Sequence, residues 1–233
     1  MKWNKNCLMF LFGAIIINSW VLAQEGLIPN KISPSELSKW STLDKGKMTA
    51  QGDSLIIEEV DGSNGYFIIS PQSYEGGFKV RYKVKALSRS TVIINLLKAL
   101  DYPEGERLTL PLAGATPSEF WDWRKSISHY NLTFNNESHG YTPFFFKNIN
   151  AQHREFHLRY PEHVMTHGEW CQVEIGHQDN RLWFTLNDRI IFDYEECSYS
   201  LTKGHFILRL SGTTGEETIL AKAILKDFVI YHE

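Results

Sequence analysis

The stretch "FKVRYKVKA", Phe78 to Ala86, changes character at every residue. Phe78, Val80, Tyr82 and Val84 point one way in an extended chain, and Lys79, Arg81, Lys83 and Lys85 point the other. Successive side chains of a strand face opposite sides, so this segment is a strand with one buried and one wetted face. The same rhythm spreads from it in both directions. "SLIIEEV" and "GYFIIS" precede it; "STVIINLLKA", "SISHYNLTF", "REFHLRY", "EWCQVEIGHQ", "RLWFTLN", "RIIFDYE", "GHFILRL" and "AILKDFVIYH" follow. Gly, Asn, Asp and Pro separate these runs, and Asn187-Asp188 has the composition of a tight hairpin turn. No long amphipathic helix and no fixed repeat is visible, which leaves an all-β architecture, a two-sheet sandwich or a barrel. Residues 99–125 and 135–152 lack strand rhythm and read as long loops, the kind that often carry function.

The chain has 233 residues. "MKWNKN" is followed by the apolar "CLMFLFGAIIINSWVLA", ending in Val21-Leu22-Ala23. This is the pattern of a secretory signal cleaved after Ala23, too short for a stop-transfer helix. The mature protein is therefore expected to be secreted or periplasmic, with no membrane association after cleavage. Loss of Lys2 and Lys5 takes the formal charge from −3 to about −5, and no basic block exists, which disfavours a nucleic-acid partner. Residues 24–53, with Pro29 and Pro34, read as a lead-in packing on the sandwich, and 54–233 as one β domain. Cys171 and Cys197 can pair in an oxidising compartment, but spacing alone leaves pairing open.

One segment concentrates chemistry: "EFWDWRKSISHYNLTF", Glu119 to Phe134. Taken as a strand, its second half sends Tyr130, Leu132 and Phe134 inward and His129, Asn131 and Thr133 outward. "HREFHLRY" divides the same way, with Phe156 and Leu158 inward and the row His153, Glu155, His157 and Arg159 outward. If both strands share a sheet, their polar rows form one patch. Trp121 and Trp123 in an extended loop would project together over it.

The second half of the chain resembles the concanavalin A-like lectin/glucanase jelly roll. The resemblance rests on "GEWCQVEIGHQDNRLWFTLNDRIIFDYEE", then "GHFILRLSG" and "LKDFVIYHE". Within that group it resembles the YesU-like proteins of bacterial polysaccharide-utilisation loci. Ile127 to Phe134, Leu158-Arg159 and Gly204 to Arg209 carry that likeness, from Gly76 onward. One departure is that the pattern's histidine falls on Asn131, while His129 lies two positions earlier. The resemblance implies an antiparallel jelly-roll β-sandwich with a carbohydrate in a concave-sheet groove under long loops; it supplies no reaction.

Indole faces suit the C–H faces of sugars, so Trp121 and Trp123 are candidate stacking residues. Arg124, Arg159 and Arg209 are candidates for a uronic carboxylate, which a guanidinium fork matches; surface ion pairing is the alternative. For a polysaccharide lyase, His129, Tyr130 and His157 are candidate acid/base residues, with Asn131, His153, Glu155 and Arg159 as substrate contacts. A hydrolase needs two facing carboxylates, and the glucanase-type Glu-x-Asp-x-x-Glu strand is absent. A non-catalytic carbohydrate-binding module fits the same residues, and an interaction domain that binds no glycan is the third alternative. No metal is expected at the site: His153 and His157 are four apart, a zinc spacing on a helix but not on a strand. No cofactor is expected beyond a structural calcium that such a fold can hold on loop oxygens near Asp61 or Asp179.

Overall fold

The computed structural model describes residues 26–103, 105, 107–112, 114–135, 142–213 and 218–233. The signal segment read at residues 1–23 lies outside the described residues. Among those described, no helix is long and apolar enough to cross a membrane.

Two antiparallel sheets face each other in a jelly-roll sandwich. Sheet I runs β13(Arg189–Glu195), β12(Arg181–Leu186), β11(Trp170–Gln178), β6(Phe78–Ala86), β15(Lys222–His232), β4(Ser54–Glu59) and β3(Gly46–Gln51), with β1(Ile28–Lys31) pairing the far end of β15. Sheet II runs β10(His153–Arg159), β9(Phe144–Asn150), β8(Ser128–Asn135), β7(Val92–Leu100), β14(Lys203–Ser211), β5(Tyr66–Glu75) and β2(Ser41–Leu43). The alternation in β6 buries Phe78, Val80, Tyr82 and Val84 between the sheets, against Ile93, Leu132, Phe134 and Leu208 of sheet II. Tyr82 brings a hydroxyl into that interior and donates it to Asn95 Oδ1 at 2.9 Å, which satisfies the phenol where water cannot reach. The Asn187-Asp188 turn has both residues at positive φ, as a tight hairpin between β12 and β13 requires.

The structure corrects three readings. Residues 28–51 do more than pack on the sandwich: they supply β1, β2 and β3, and a short helix α1(Pro34–Leu37) started by a Ser33/Glu36 capping box. Their strand pattern is faint because all three lie at sheet edges with mostly exposed residues. The stretch read as a loop from 99 contains helix α2(Pro117–Ser126), opened by a Thr116/Glu119 capping box with Pro117 in its first turn. The stretch read as a loop from 135 contains β9. Its Phe-Phe-Phe run is buried on both faces, so it shows no period of two.

Cys171 is buried in the core and Cys197 is exposed, and neither is in a disulfide. Sheet II has a tight crossing between β7 and β14. Lys98 interrupts β7 at φ 56, and Gly204 of β14, at φ 149, lies against its backbone. A Cβ on Gly204 would come 2.2 Å from the Lys98 carbonyl carbon. Gly204→Ala is expected to lower stability by about 1–3 kcal/mol, through overpacking against backbone that cannot step aside. A lowered urea midpoint with an unchanged m-value checks this.

Candidate functional site

Strand register turns the outer face of sheet II into a grid. One row across it is Phe67, Arg209, Ile94, Thr133, Phe144 and Arg159. The next is Ile69, Ile207, Leu96, Asn131, Phe146 and His157. The β5–β14–β7 half is apolar apart from Arg209, and the β8–β9–β10 half is polar and aromatic.

The apolar half is not an open hollow. Phe67, Ile69, Ile94, Leu96 and Ile207 form a second buried cluster, roofed by Leu108, Leu110, Trp123 and Ile127. This corrects the reading of Trp123. In α2, residues two apart diverge around the axis instead of projecting together. Trp123 therefore turns down onto Phe67, with ring centroids 5.6 Å apart, and donates its indole N–H to the Thr109 carbonyl at 2.7 Å. Trp121 stays outside, 47% exposed, with the Arg124 guanidinium 4.0 Å from its ring centre. Arg209 also belongs to the covered half. It donates to the Asn64 carbonyl at 2.6 Å and lies flat on Gly65, where a Cβ would come 2.3 Å from its Nε. β7 runs between it and the polar half.

On the polar half, His129 and His157 face the same side, although β9 runs between their strands. Their rings lie 6.3 and 5.9 Å from the same Phe146 ring. A bulge between Glu155 and His157 breaks the row expected on β10. One extra residue reverses the alternation, so Arg154, His157 and Arg159 align with Asn148, Phe146 and Phe144 on the outer face. Glu155 is turned to the other side, where it meets Lys147 at 3.0 Å and Ser198 at 2.9 Å. His153, exposed at the start of the strand and paired in register with Asn150, lies 3.4 Å from Glu155.

Tyr130 faces away from this surface. Its hydroxyl donates to Glu196 at 2.6 Å inside the sandwich, and burial together with the Glu196 charge raises its pKa well above that of a free phenol. It therefore shares no reaction centre with His157. His129 is on the outer face but only 2% exposed, its Nδ1 bonded to the Ile127 carbonyl. Burial, then the Arg124 charge, pushes its pKa down to about 3, so it stands as a neutral ring under α2. Asn131 is equally buried and donates to Thr133 Oγ1 at 2.9 Å.

What remains reachable is a cationic shelf. Phe144 and Phe146 stack 6.2 Å apart and nearly parallel. Arg154 covers Phe146 at 3.9 Å, Arg159 stands 5.7 Å from Phe144, and His157 presents its edge to both rings. Arg124 reaches in from α2, whose end is tied down by Asn148 donating to the Lys125 and Ile127 carbonyls at 2.8 Å. Burial, then Arg209 and Arg154, lowers the Arg124 pKa to about 9, which leaves it charged at neutral pH. Among the described residues none of Arg124, Arg154 and Arg159 is ion-paired with a carboxylate. Strict alternation along β10 puts Arg154 on the inward row with Phe156 and Leu158, and only the bulge brings it outward; no sequence signal marks that bulge. Also among the described residues, no three His, Cys, Asp or Glu side chains converge to hold a metal ion, near Asp61 or Asp179 included.

No family model and no curated protein matches the sequence. Solved structures match by fold. A Bacillus subtilis protein of unknown function with a galectin-like fold superposes with a TM-score of 0.67 at 14% identity, covering 88% of this chain and 94% of that one. A prokaryotic β-1,3-1,4-glucanase (lichenase) from a mouse hindgut metagenome gives 0.54 at 12% identity, covering 88% and 98%. The carbohydrate-binding module CBM66 from Bacillus subtilis gives 0.50 at 14% identity, covering 82% and 94%. The chain is thus similar in fold to galectin-like and concanavalin A-like jelly rolls.

Proposed function

We propose that this is an exported carbohydrate-binding protein whose shelf on sheet II holds a glycan bearing carboxylate or sulfate groups, without cleaving it. The observation that carries this reading is Arg154 and Arg159 on the Phe144–Phe146 pair, with Arg124 held against Trp121 within reach of the Arg154 charge, three guanidiniums with no carboxylate partner among the described residues. A guanidinium fork matches a carboxylate or sulfate geometrically, and the aromatic faces accept the apolar side of a sugar ring. Two proteins of the same fold, the binding module and the glucanase described above, are named for carbohydrate, and the YesU-like resemblance points the same way. Cleavage has less support. Tyr130 lies across the sheet, His129 is shielded, and among the described residues no pair of carboxylates faces this shelf.

The test is retention on immobilised polygalacturonate, alginate and chondroitin sulfate against neutral dextran, with chromatography of any products. Retention on at least one anionic polymer, weakened by salt, is expected. Arg154→Ala and Arg159→Ala should each weaken it about 10- to 100-fold, the loss of one charge-assisted contact. Indifference to every anionic glycan would remove the proposal, and released unsaturated products would replace it with the lyase reading.

Affinity should also depend on pH. Burial, then Arg159 and Arg154, lowers the His157 pKa below its ordinary value, so the ring is neutral at pH 7. A bound anion favours the protonated ring, so binding should tighten as pH falls from 7 toward 5. Titrations of His157→Gln across that range should lose the trend while keeping the arginine-dependent affinity.

A further inference from the structure

We propose that the opposite side of the molecule, the outer face of sheet I, carries a second binding site, for an uncharged saccharide. A cavity of about 590 Å³ opens there at the end of the β11–β12 hairpin, a volume typical of small-ligand sites. Its turn residue Asp179 sits at φ 52, which brings the strand ends together around the opening.

The cavity is built from parts held in different ways. Gly176 has no side chain, and the Trp183 indole lies across it: a Cβ there would come 2.0 Å from the ring. The indole N–H donates to Glu174 Oε1 at 3.1 Å, which holds the ring as the apolar wall. Arg181 forks onto Asp193 with bonds of 2.8 and 2.9 Å, so that carboxylate is preset and its remaining lone pairs face outward. Asp179 and Glu195 line the same opening, exposed, and their carboxylates make no side-chain hydrogen bond or ion pair among the described residues. Gln178 adds a buried amide oxygen, Oε1, with no hydrogen-bond partner among the described residues.

A surplus of acceptors calls for a ligand rich in donors. Sugar hydroxyls donate to carboxylates and amide oxygens, and a buried amide oxygen left unpaired is costly until something donates to it. Three carboxylates against one guanidinium repel the anionic glycans that suit the shelf on sheet II. A metal ion is not favoured, because these carboxylates do not converge. Chemistry therefore separates the two faces: anionic residues on sheet II, neutral ones on sheet I. A chain with both could bridge two polymers, or two stretches of one mixed polymer, and gain avidity.

Calorimetric or NMR titration of the full mature chain with cellobiose, laminaribiose, lactose and sucrose, and with their longer oligomers, tests this. At least one neutral sugar should bind wild type and Arg154→Ala/Arg159→Ala equally. Asp179→Gly/Glu195→Ala should bind it at least tenfold more weakly while melting close to the wild-type temperature, since glycine suits the φ of 52 at position 179 and both residues are exposed. The proposal is overturned if no neutral sugar binds, or if the arginine variant loses that binding and the acidic variant keeps it. Neither outcome bears on the anionic shelf, which is read with different ligands.

Discussion

Lys147→Met will cost the fold about 3–5 kcal/mol, and adding Glu196→Gln to it will recover much of that loss. Lys147 has no exposed surface although it sits in a strand beside three phenylalanines. Its ammonium meets Glu196 at 2.6 Å, Glu155 at 3.0 Å and the Tyr199 carbonyl, so all three of its protons are used. Glu196 is as deeply buried and also accepts from the Tyr130 hydroxyl at 2.6 Å and from Ser200 at 2.9 Å. Methionine matches the lysine stem but leaves the Glu196 charge in a dry site with hydroxyl donors alone. Neutralising that carboxylate removes the larger penalty, and the amide can still accept from Tyr130. Urea unfolding of both variants is the measurement. A single variant within 1 kcal/mol of wild type, or a double variant no better than the single, would show that solvent reaches this cluster.

This cluster marks where sequence reading stops. Period-two alternation located β6, β8, β11 and β14 because each has a wet or polar side and a dry side, and that contrast is what periodicity records. β9 has no such contrast. Its inward row holds Phe145 and Lys147, its outward row Phe146 and Asn148, and all four are buried. A lysine in such a run reads as a loop residue unless its partners are known, and Glu196 lies 49 positions away. The outer patch was half legible for a related reason. His129, His157 and Arg159 lie on the side that alternation gives them. Arg154 and Glu155 are exchanged by a one-residue bulge, and bulges leave no compositional trace here. The Trp121–Trp123 pair failed differently. Thr116-Pro117-Ser118-Glu119 is a legible helix start, and taking it as one places the two indoles on diverging faces.

Acid should unfold this protein within the range where many secreted proteins persist, and two histidines set the slope. His129 lies under α2 beside Arg124. His177 lies in the core, 3% exposed, 5.2 Å from the Tyr130 ring, with neither ring nitrogen in a hydrogen bond of good geometry. Burial first, then Lys98 and Lys147, drives the His177 pKa to about 3, and His129 reaches about 3 as well. In the unfolded chain both titrate near 6.5. Between those values the unfolded state takes up two protons that the native state refuses, so stability is fully present above pH 6.5 and falls as pH drops toward 3. The slope approaches about 2.7 kcal/mol per pH unit and totals about 9 kcal/mol over the window, comparable with a typical folding free energy of about 5–15 kcal/mol. Urea titrations at steps from pH 7 to 4.5 measure it. His177→Leu should halve the slope and be more stable than wild type at pH 5, because it removes a buried ring whose protonation the core opposes and fills the space with carbon. If its curve instead runs parallel to wild type, the proton uptake belongs to other groups. His177→Leu should also move the acid unfolding to lower pH, because one of the two groups that refuse a proton in the native state is gone.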